Sequence, residues 1–361
     1  VSRRSRHRAA AVALLAALTG CGAATASFTS APDALGLGAD TATSLRLGYL
    51  PNLTHAPAIV GLEKGFLKNG VGQSVSLQTQ TFNAGPDEIT ALFGGALDAA
   101  FIGPNPAING FVKSHGDALR IVTGATAGGA ALVVQSGKGI SAAADLRGKT
   151  IATPQLGNTQ DVALRAWLKR NGITTDAQGG GDVKIAPTDN ATTLQLFKAG
   201  QIDGAWVPEP WATRLVIEGK GTVLVDEAGQ WPSGRFVTTE LIVSRTYLTA
   251  HPATVRHLIE GELAAVTWIN GHAAEAETVV NSAIGAITGK KLAAAIIDAA
   301  WTHLSFGLDP LAGALNKAAT DAQSVGLLGT VDLKGIVDLR ILNDVLAKAG
   351  APAVDAAGLQ T

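Results

Sequence analysis

The sequence predicts an α/β protein built as two similar lobes, and three observations carry that prediction. A phrase repeats: Gly95-Ala-Leu97-Asp98-Ala-Ala100-Phe101-Ile102 returns as Gly200-Gln-Ile202-Asp203-Gly-Ala205-Trp206-Val207. Each copy follows an amphipathic helix, turns at Gly and enters a buried apolar strand. Each then runs into a proline-rich loop, Gly103-Pro104-Asn105-Pro106 in the first and Pro208-Glu209-Pro210-Trp211 in the second. In an open α/β sheet the carboxyl ends of strands are where ligands bind, so the two lobes are expected to face one another across a cleft.

Taken in order, residues 45–49 alternate as a first strand, and Pro51-Asn52-Leu-Thr54 turns into an apolar helix over about 55–64. Residues 75–81 read as the next strand. Asn83-Ala-Gly85-Pro86-Asp87 opens a helix, with Pro86 in its first turn and Asp87 complementing its dipole. The first phrase supplies a strand, and a helix over 107–114 and a strand over 119–123 close the first lobe. After a loop over 124–129 the pattern restarts with strands at 131–135 and 150–153. A helix runs over 160–171 to the stop at Gly172, followed by a strand at 183–185. Thr188-Asp189-Asn190 caps the next helix, and the second phrase follows it. A strand over 236–243 returns to the first lobe. From Pro252 to about residue 349 the chain is mostly helical, a tail expected to pack on one lobe and behind the hinge, with residues from 351 frayed. The lobes therefore take 45–128 plus 238–349, and 129–237.

The N-terminus reads as a targeting segment. Arg3, Arg4, Arg6 and Arg8 precede a short apolar run that ends in Leu18-Thr19-Gly20-Cys21. This is similar to a bacterial lipoprotein signal, over residues 1–21, with lipid carried on Cys21 and the mature chain held at the extracytoplasmic face of the cell membrane. Residues 22–44 are rich in Ala, Ser, Thr and Gly and read as a flexible tether spanning roughly 25 to 30 Å. Cys21 is the sole cysteine, which excludes disulfides and a catalytic thiol in the folded body.

Composition narrows the chemistry. The chain has 361 residues, 47% hydrophobic and 16% charged, and a net charge of -1, which leaves no electrostatic footprint for nucleic acid. The seven histidines contain no pair with zinc-motif spacing, and no Gly-x-Ser-x-Gly elbow occurs. No metal, no cofactor and no enzymatic activity are expected. Were the scaffold to act on a small metabolite, His55 would be the general base. Gly285-Ala-Ile-Thr-Gly289-Lys290-Lys291 imitates a phosphate loop but lacks one spacer and the hydroxyl after Lys, so it reads as a solvated helix-to-helix turn.

What the sequence does offer is small polar residues at strand-to-helix turns: Asn52 and Thr54, Asn83 and Gly85, Asn105, and Asn158 with Thr159 and Gln160. Backbone N–H groups at helix starts, with the aligned dipole, suit an anion; the same residues also suit capping with nothing bound. Arginine is absent from these turns, so an anion there would meet neutral donors. Trp206, Trp211 and Tyr49 are candidate apolar walls, although Trp211 also keeps helical spacing with Leu215. Glu209 needs an amine on the ligand, a cation such as Arg214, or the other lobe.

Cys21, Leu47-Gly-Tyr49-Leu-Pro51-Asn52, Gly103-Pro104-Asn105-Pro106-Ala107, Thr153-Pro154-Gln-Leu-Gly157-Asn158-Thr159 and Gly200-Gln-Ile-Asp203-Gly-Ala-Trp206-Val-Pro208-Glu209-Pro210-Trp211 together resemble the aliphatic sulfonate, taurine and nitrate binding proteins of ABC importers. The resemblance runs from about residue 45 to 349. It implies a type II periplasmic-binding-protein-like fold, in which two lobes joined by a two-strand hinge close on one small anion. The protein would then dock, as a monomer, on a permease served by an ATPase. Aliphatic sulfonate is the expected ligand; nitrate, taurine or a nitrogen heterocycle such as a pyrimidine vitamin precursor, stacked on Trp206 and Trp211, are the alternatives.

Overall fold

The computed structural model describes residues 35–37 and 42–360. The expected signal segment, Cys21 and most of the tether lie outside the described residues. The first run of elements is β1 (Ser44–Tyr49), a 3-10 turn over Leu53–His55, α1 (Ala56–Glu63), α2 (Phe66–Val71), β2 (Ser76–Thr81), α3 (Gly85–Phe93), β3 (Ala99–Ile102), α4 (Pro104–Lys113) and β4 (Leu119–Gly128). The second run is β5 (Ala130–Gln135), β6 (Thr150–Thr153), α5 (Thr159–Arg170), β7 (Lys184–Pro187), α6 (Asn190–Lys198), β8 (Gly204–Pro208), α7 (Trp211–Ile217) and β9 (Gly221–Asp226). The chain then returns through β10 (Val237–Ser244), α8 (Arg245–Ala250), α9 (Pro252–Gly271), α10 (Ala273–Thr288), α11 (Ala294–Trp301), β11 (Leu304–Phe306), α12 (Ala312–Ser324) and α13 (Arg340–Lys348).

Among the described residues these strands form two sheets, in the orders β11-β4-β10-β3-β1-β2 and β7-β6-β8-β5-β9. The duplication is visible in the pairing. β1 lies parallel between β2 and β3, as β6 lies between β7 and β8, and one antiparallel strand, β10 or β5, closes on each phrase strand. The repeated aspartates do the same job in each lobe. Asp98 Oδ2 accepts the backbone N–H of Arg46 at 2.8 Å and Asp203 Oδ2 that of Thr150 at 3.0 Å, fastening the start of one strand to its neighbour. Both lie at the amino ends of the strands and serve the fold.

The chain crosses between sheets at Gly128-Gly129 and again before β10. Both glycines have positive φ, and a Cβ on either would stand within 2.5 Å of the segment leading into β11, so this crossing requires glycine. One apolar core unites the first sheet with the C-terminal helices, and two smaller cores cover the faces of the second sheet.

Three expectations are corrected. Residues 124–128 are not loop but the continuation of β4, because β10 and β11 pair with them on either side. The tail is interrupted by β11, which adds an edge to the first sheet. Residues beyond 351 are not frayed: Asn343 brackets Val354 through both amide atoms, Gln360 Oε1 accepts the N–H of Leu339, and Leu359 is buried. Side-chain amides thus supply the backbone partners that a strand or helix would otherwise provide.

Candidate functional site

Helix starts from both sheets converge at the carboxyl ends of the strands. Asn52 precedes the Leu53–His55 turn, Ala84 precedes α3, Gly103 precedes α4 and Asn158 precedes α5, and none of these N-cap positions supplies a side-chain cap. Among the described α-helices, Asp189 caps α6 through Thr192 N–H and Ser244 caps α8, and the other helix starts are likewise without a side-chain cap. The first N–H groups of a helix have no intrahelical acceptor. Uncapped starts therefore leave donors and the positive dipole end available, which is the chemistry an anion needs.

The amides that could have capped are used differently. Asn52 Oδ1 accepts Trp211 Nε1–H at 2.9 Å, joining the first lobe to the second. Asn158 Nδ2 donates to Gln160 Oε1 at 2.9 Å. Thr159 is 4% exposed and its hydroxyl has no partner. It lies against the other lobe, because a Cβ on Gly103 would stand 2.6 Å from Thr159 Oγ1; glycine is what allows the start of α4 to meet the start of α5. Gln155 Nε2 donates to Asp87 Oδ1 at 3.0 Å across the same gap. Thr54 and His55 are buried, and burial pushes the His55 imidazole down to about 3. It is neutral, with Nδ1 accepting the N–H of Leu50, and it is far too weak a base for proton abstraction near pH 7. Gly85 is the buried first residue of α3, and Asn83 before it is exposed.

Other expected site residues are placed elsewhere. Trp206 is fully buried in the second lobe, edge-on to Trp167, with Nε1–H donating to Glu227 Oε2 at 2.7 Å. It is core and not a pocket wall, which removes the Trp206–Trp211 stack proposed for a heterocycle. Successive strand residues point to opposite faces, and Trp206 takes the face covered by α5. Trp211 is half-buried with the Arg214 guanidinium over its ring at 4.7 Å. Asn105 Nδ2 donates to the carbonyl of Ala318 on α12 at 3.1 Å, so this amide ties the tail to α4. Arg214 pairs with Glu218, not with Glu209. Glu209, 2% exposed, accepts Thr213 N–H and Oγ–H and meets His303 Nδ1 at 2.7 Å. Of the three options weighed for it, closure against the other lobe is the one realised.

Sequence reasoning missed several groups. Asp161, in the first turn of α5, accepts Thr153 Oγ–H at 3.0 Å, Gly157 N–H at 2.9 Å and Arg165 Nε–H at 3.0 Å, and so shapes the turn that carries Asn158 and Thr159. An acid in the first turn with an arginine four residues on is the signal that could have found it. On the hinge strands Thr126 and Thr239 are register partners whose buried hydroxyls have no partner. Glu240 follows, opposite Ile102 at the end of β3. It is fully buried with neither oxygen bonded, and burial raises its carboxyl well above the usual range.

Between the lobes a cavity of about 570 Å³ is lined by Asn52, Asn83 and Trp211, by Asn190 at the start of α6, and by Lys290 and Lys291 of the tail. The pattern of the NMT1-like family matches residues 38–284. The bicarbonate-binding protein CmpA of Synechococcus sp. is 26% identical over 275 residues, which is 68% of this chain and 58% of that protein. The chain thus spans little more than half the length of that curated relative. Among solved structures, the periplasmic nitrate-binding protein NrtA of Synechocystis PCC 6803 superposes with a TM-score of 0.72 at 18% identity, covering 87% of this chain and 91% of that one. The alkanesulfonate-binding protein SsuA of Xanthomonas axonopodis pv. citri, bound to MOPS, gives a TM-score of 0.68 at 22% identity over 81% and 96%. The two-sheet architecture is the periplasmic-binding-protein fold, and with the match extending from the first strand into α10, the chain belongs to the NMT1-like family.

Proposed function

We propose that this chain is the solute-binding component of an ABC importer, capturing a small anion between its two sheets and delivering it to a permease served by an ATPase. The observation that carries this reading is the meeting of the α4 start in one lobe with the α5 start in the other, with the buried, unpartnered Thr159 hydroxyl between them. Proteins similar to this chain are named for binding bicarbonate, nitrate and alkanesulfonate, small anions of one charge type. The donors at the helix starts are neutral, which suits a weakly basic oxyanion, and an aliphatic sulfonate is the ligand we assign. The protein binds without covalent chemistry; the neutral His55 is consistent with that. Anchoring through lipid on Cys21, action as a monomer and closure about the hinge belong to the same proposal. No helix among the described residues is long and apolar enough to cross a membrane.

Calorimetry and melting with the chain from residue 22 onward test the reading. An alkanesulfonate at a hundredfold excess over its Kd is expected to add about 2.7 kcal/mol of stability. Thr159→Val is expected to weaken binding about tenfold while raising the ligand-free melting point, since it replaces a buried hydroxyl that has no partner by a methyl of similar size. The absence of any shift with alkanesulfonates, taurine, nitrate, bicarbonate and sulfate overturns the proposal.

A further inference from the structure

The start of α5 carries an acid at the very place where the proposed ligand would be an anion. Asp161 lies in the first turn of α5 and is fully buried. Its oxygens accept Thr153 Oγ–H at 3.0 Å and Gly157 N–H at 2.9 Å, so the carboxylate fixes the turn that runs from the end of β6 to Asn158 and Thr159. An acid at a helix start is favourable for the same reason that an external anion is, since both take the positive end of the dipole. With its charge uncancelled, Asp161 would hold the turn and repel the ligand.

Arg165 cancels that charge. One turn further along α5, it donates from Nε to Asp161 Oδ2 at 3.0 Å, and the arginine and aspartate side chains are 1% and 0% exposed. Its Nη1 donates to the carbonyl of Asp176 at 2.5 Å, which ties the pair to the loop between α5 and β7, and its Nη2 is buried without a partner. Among the described residues, Asp161 is the one carboxylate in ion-pair contact with Arg165. A buried ion pair adds little net stability once desolvation is counted, whereas loss of one partner leaves a buried charge uncompensated. What this pair supplies is a turn held by two carboxylate hydrogen bonds at no net charge. No arginine stands in the strand-to-helix turns themselves; this one stands behind one of them.

We infer that Arg165 is a positioning residue for anion capture: it neutralises Asp161, so that the carboxylate can hold the α5 turn without repelling an anion from the α5 start. This rests on the anion-binding reading above and adds which buried group keeps that start receptive.

Calorimetry with ethanesulfonate and nitrate, on the full-length protein at low ionic strength, separates a charge role from mere bracing, because the two roles predict opposite results. Asp161→Asn leaves Arg165 uncancelled and is expected to bind both anions about tenfold tighter. Arg165→Met leaves Asp161 uncancelled and is expected to bind them about tenfold weaker. Combining Asp161→Asn with Arg165→Met removes both charges and is expected to return within about threefold of the parent, although it loses more bracing contacts than either single variant. Arg165→Lys keeps the charge but loses the fork that reaches Asp176, and it too is expected to stay within about threefold. Near-UV circular dichroism checks that each variant is folded; should Arg165→Met not fold, the other three decide. Equal or weaker binding by Asp161→Asn, or a double variant about tenfold or more below the parent, assigns the pair to bracing alone and overturns the inference while anion capture stands. If no anion of the panel above binds the parent protein, the capture reading falls and this inference with it.

Discussion

At the scale of single residues, what a side chain touches decides its role. Glu209 is enclosed by two donors from Thr213 in the first turn of α7 and by His303 from the segment before β11, so it fastens the two lobes together. Trp206 is fixed by Glu227 and Trp167. Trp206→Phe is therefore expected to cost about 1–3 kcal/mol in urea unfolding, because a buried carboxyl oxygen loses its donor. Ligand affinity is expected to stay within about twofold, as befits a group remote from the ligand. A large loss of affinity at unchanged stability would return Trp206 to the site. The sequence could not show this. Alternation places Trp206 on one face of a strand, but which face meets the cleft depends on α5, whose docking is a tertiary matter. Asn105 illustrates the same limit, since its partner is 213 positions away.

At the scale of elements, the helix starts were the most legible. The Asn, Thr and Gly residues at strand-to-helix turns were read from spacing alone, and Asn52, Thr54, Asn158, Thr159 and Gln160 all lie at such turns in the structure. Whether they cap or stand free was not legible, because both outcomes use the same residue types. The contact between α4 and α5 was equally hidden. Gly103→Ala places a methyl 2.6 Å from Thr159 Oγ1, which wedges the two helix starts apart. Each lobe is expected to fold normally, while ligand affinity falls about tenfold or more, and small-angle scattering should report a larger radius of gyration with ligand present. An unchanged affinity would show that the two helix starts need not meet for binding.

At the scale of the whole molecule, buried acids set the response to pH. Burial raises Glu227 to about 7, against hydrogen bonds from Trp206 and Trp231 that oppose it, and raises Glu262 to about 8, against one from Thr123. His303 is raised by its hydrogen bond to Glu209. All three bind protons more tightly when folded, so the stability they contribute is full at low pH and is lost as pH rises. The loss starts near 4.5 for the two glutamates and near 6.5 for His303, and runs through each folded value. His303 is exposed enough that its share stays under about 1 kcal/mol. The urea midpoint is expected to fall between pH 5 and pH 8.5, and Glu262→Gln to flatten that fall, with a gain on the order of 2–3 kcal/mol at the alkaline end. Parallel curves for the two proteins would refute this assignment.

The placement of β10 also governs the order in which the molecule can be made. β5 through β9 form one unbroken stretch of chain, so the second sheet has all its strands as soon as that stretch leaves the ribosome. The first sheet does not. Its β3 and β4 are neighbours in sequence but not in space, because β10, more than a hundred residues later, lies between them. Until that strand is synthesised the earlier half holds an open slot edged with unpaired backbone. The later-encoded sheet is thus free to mature first, and the earlier one waits for its central strand.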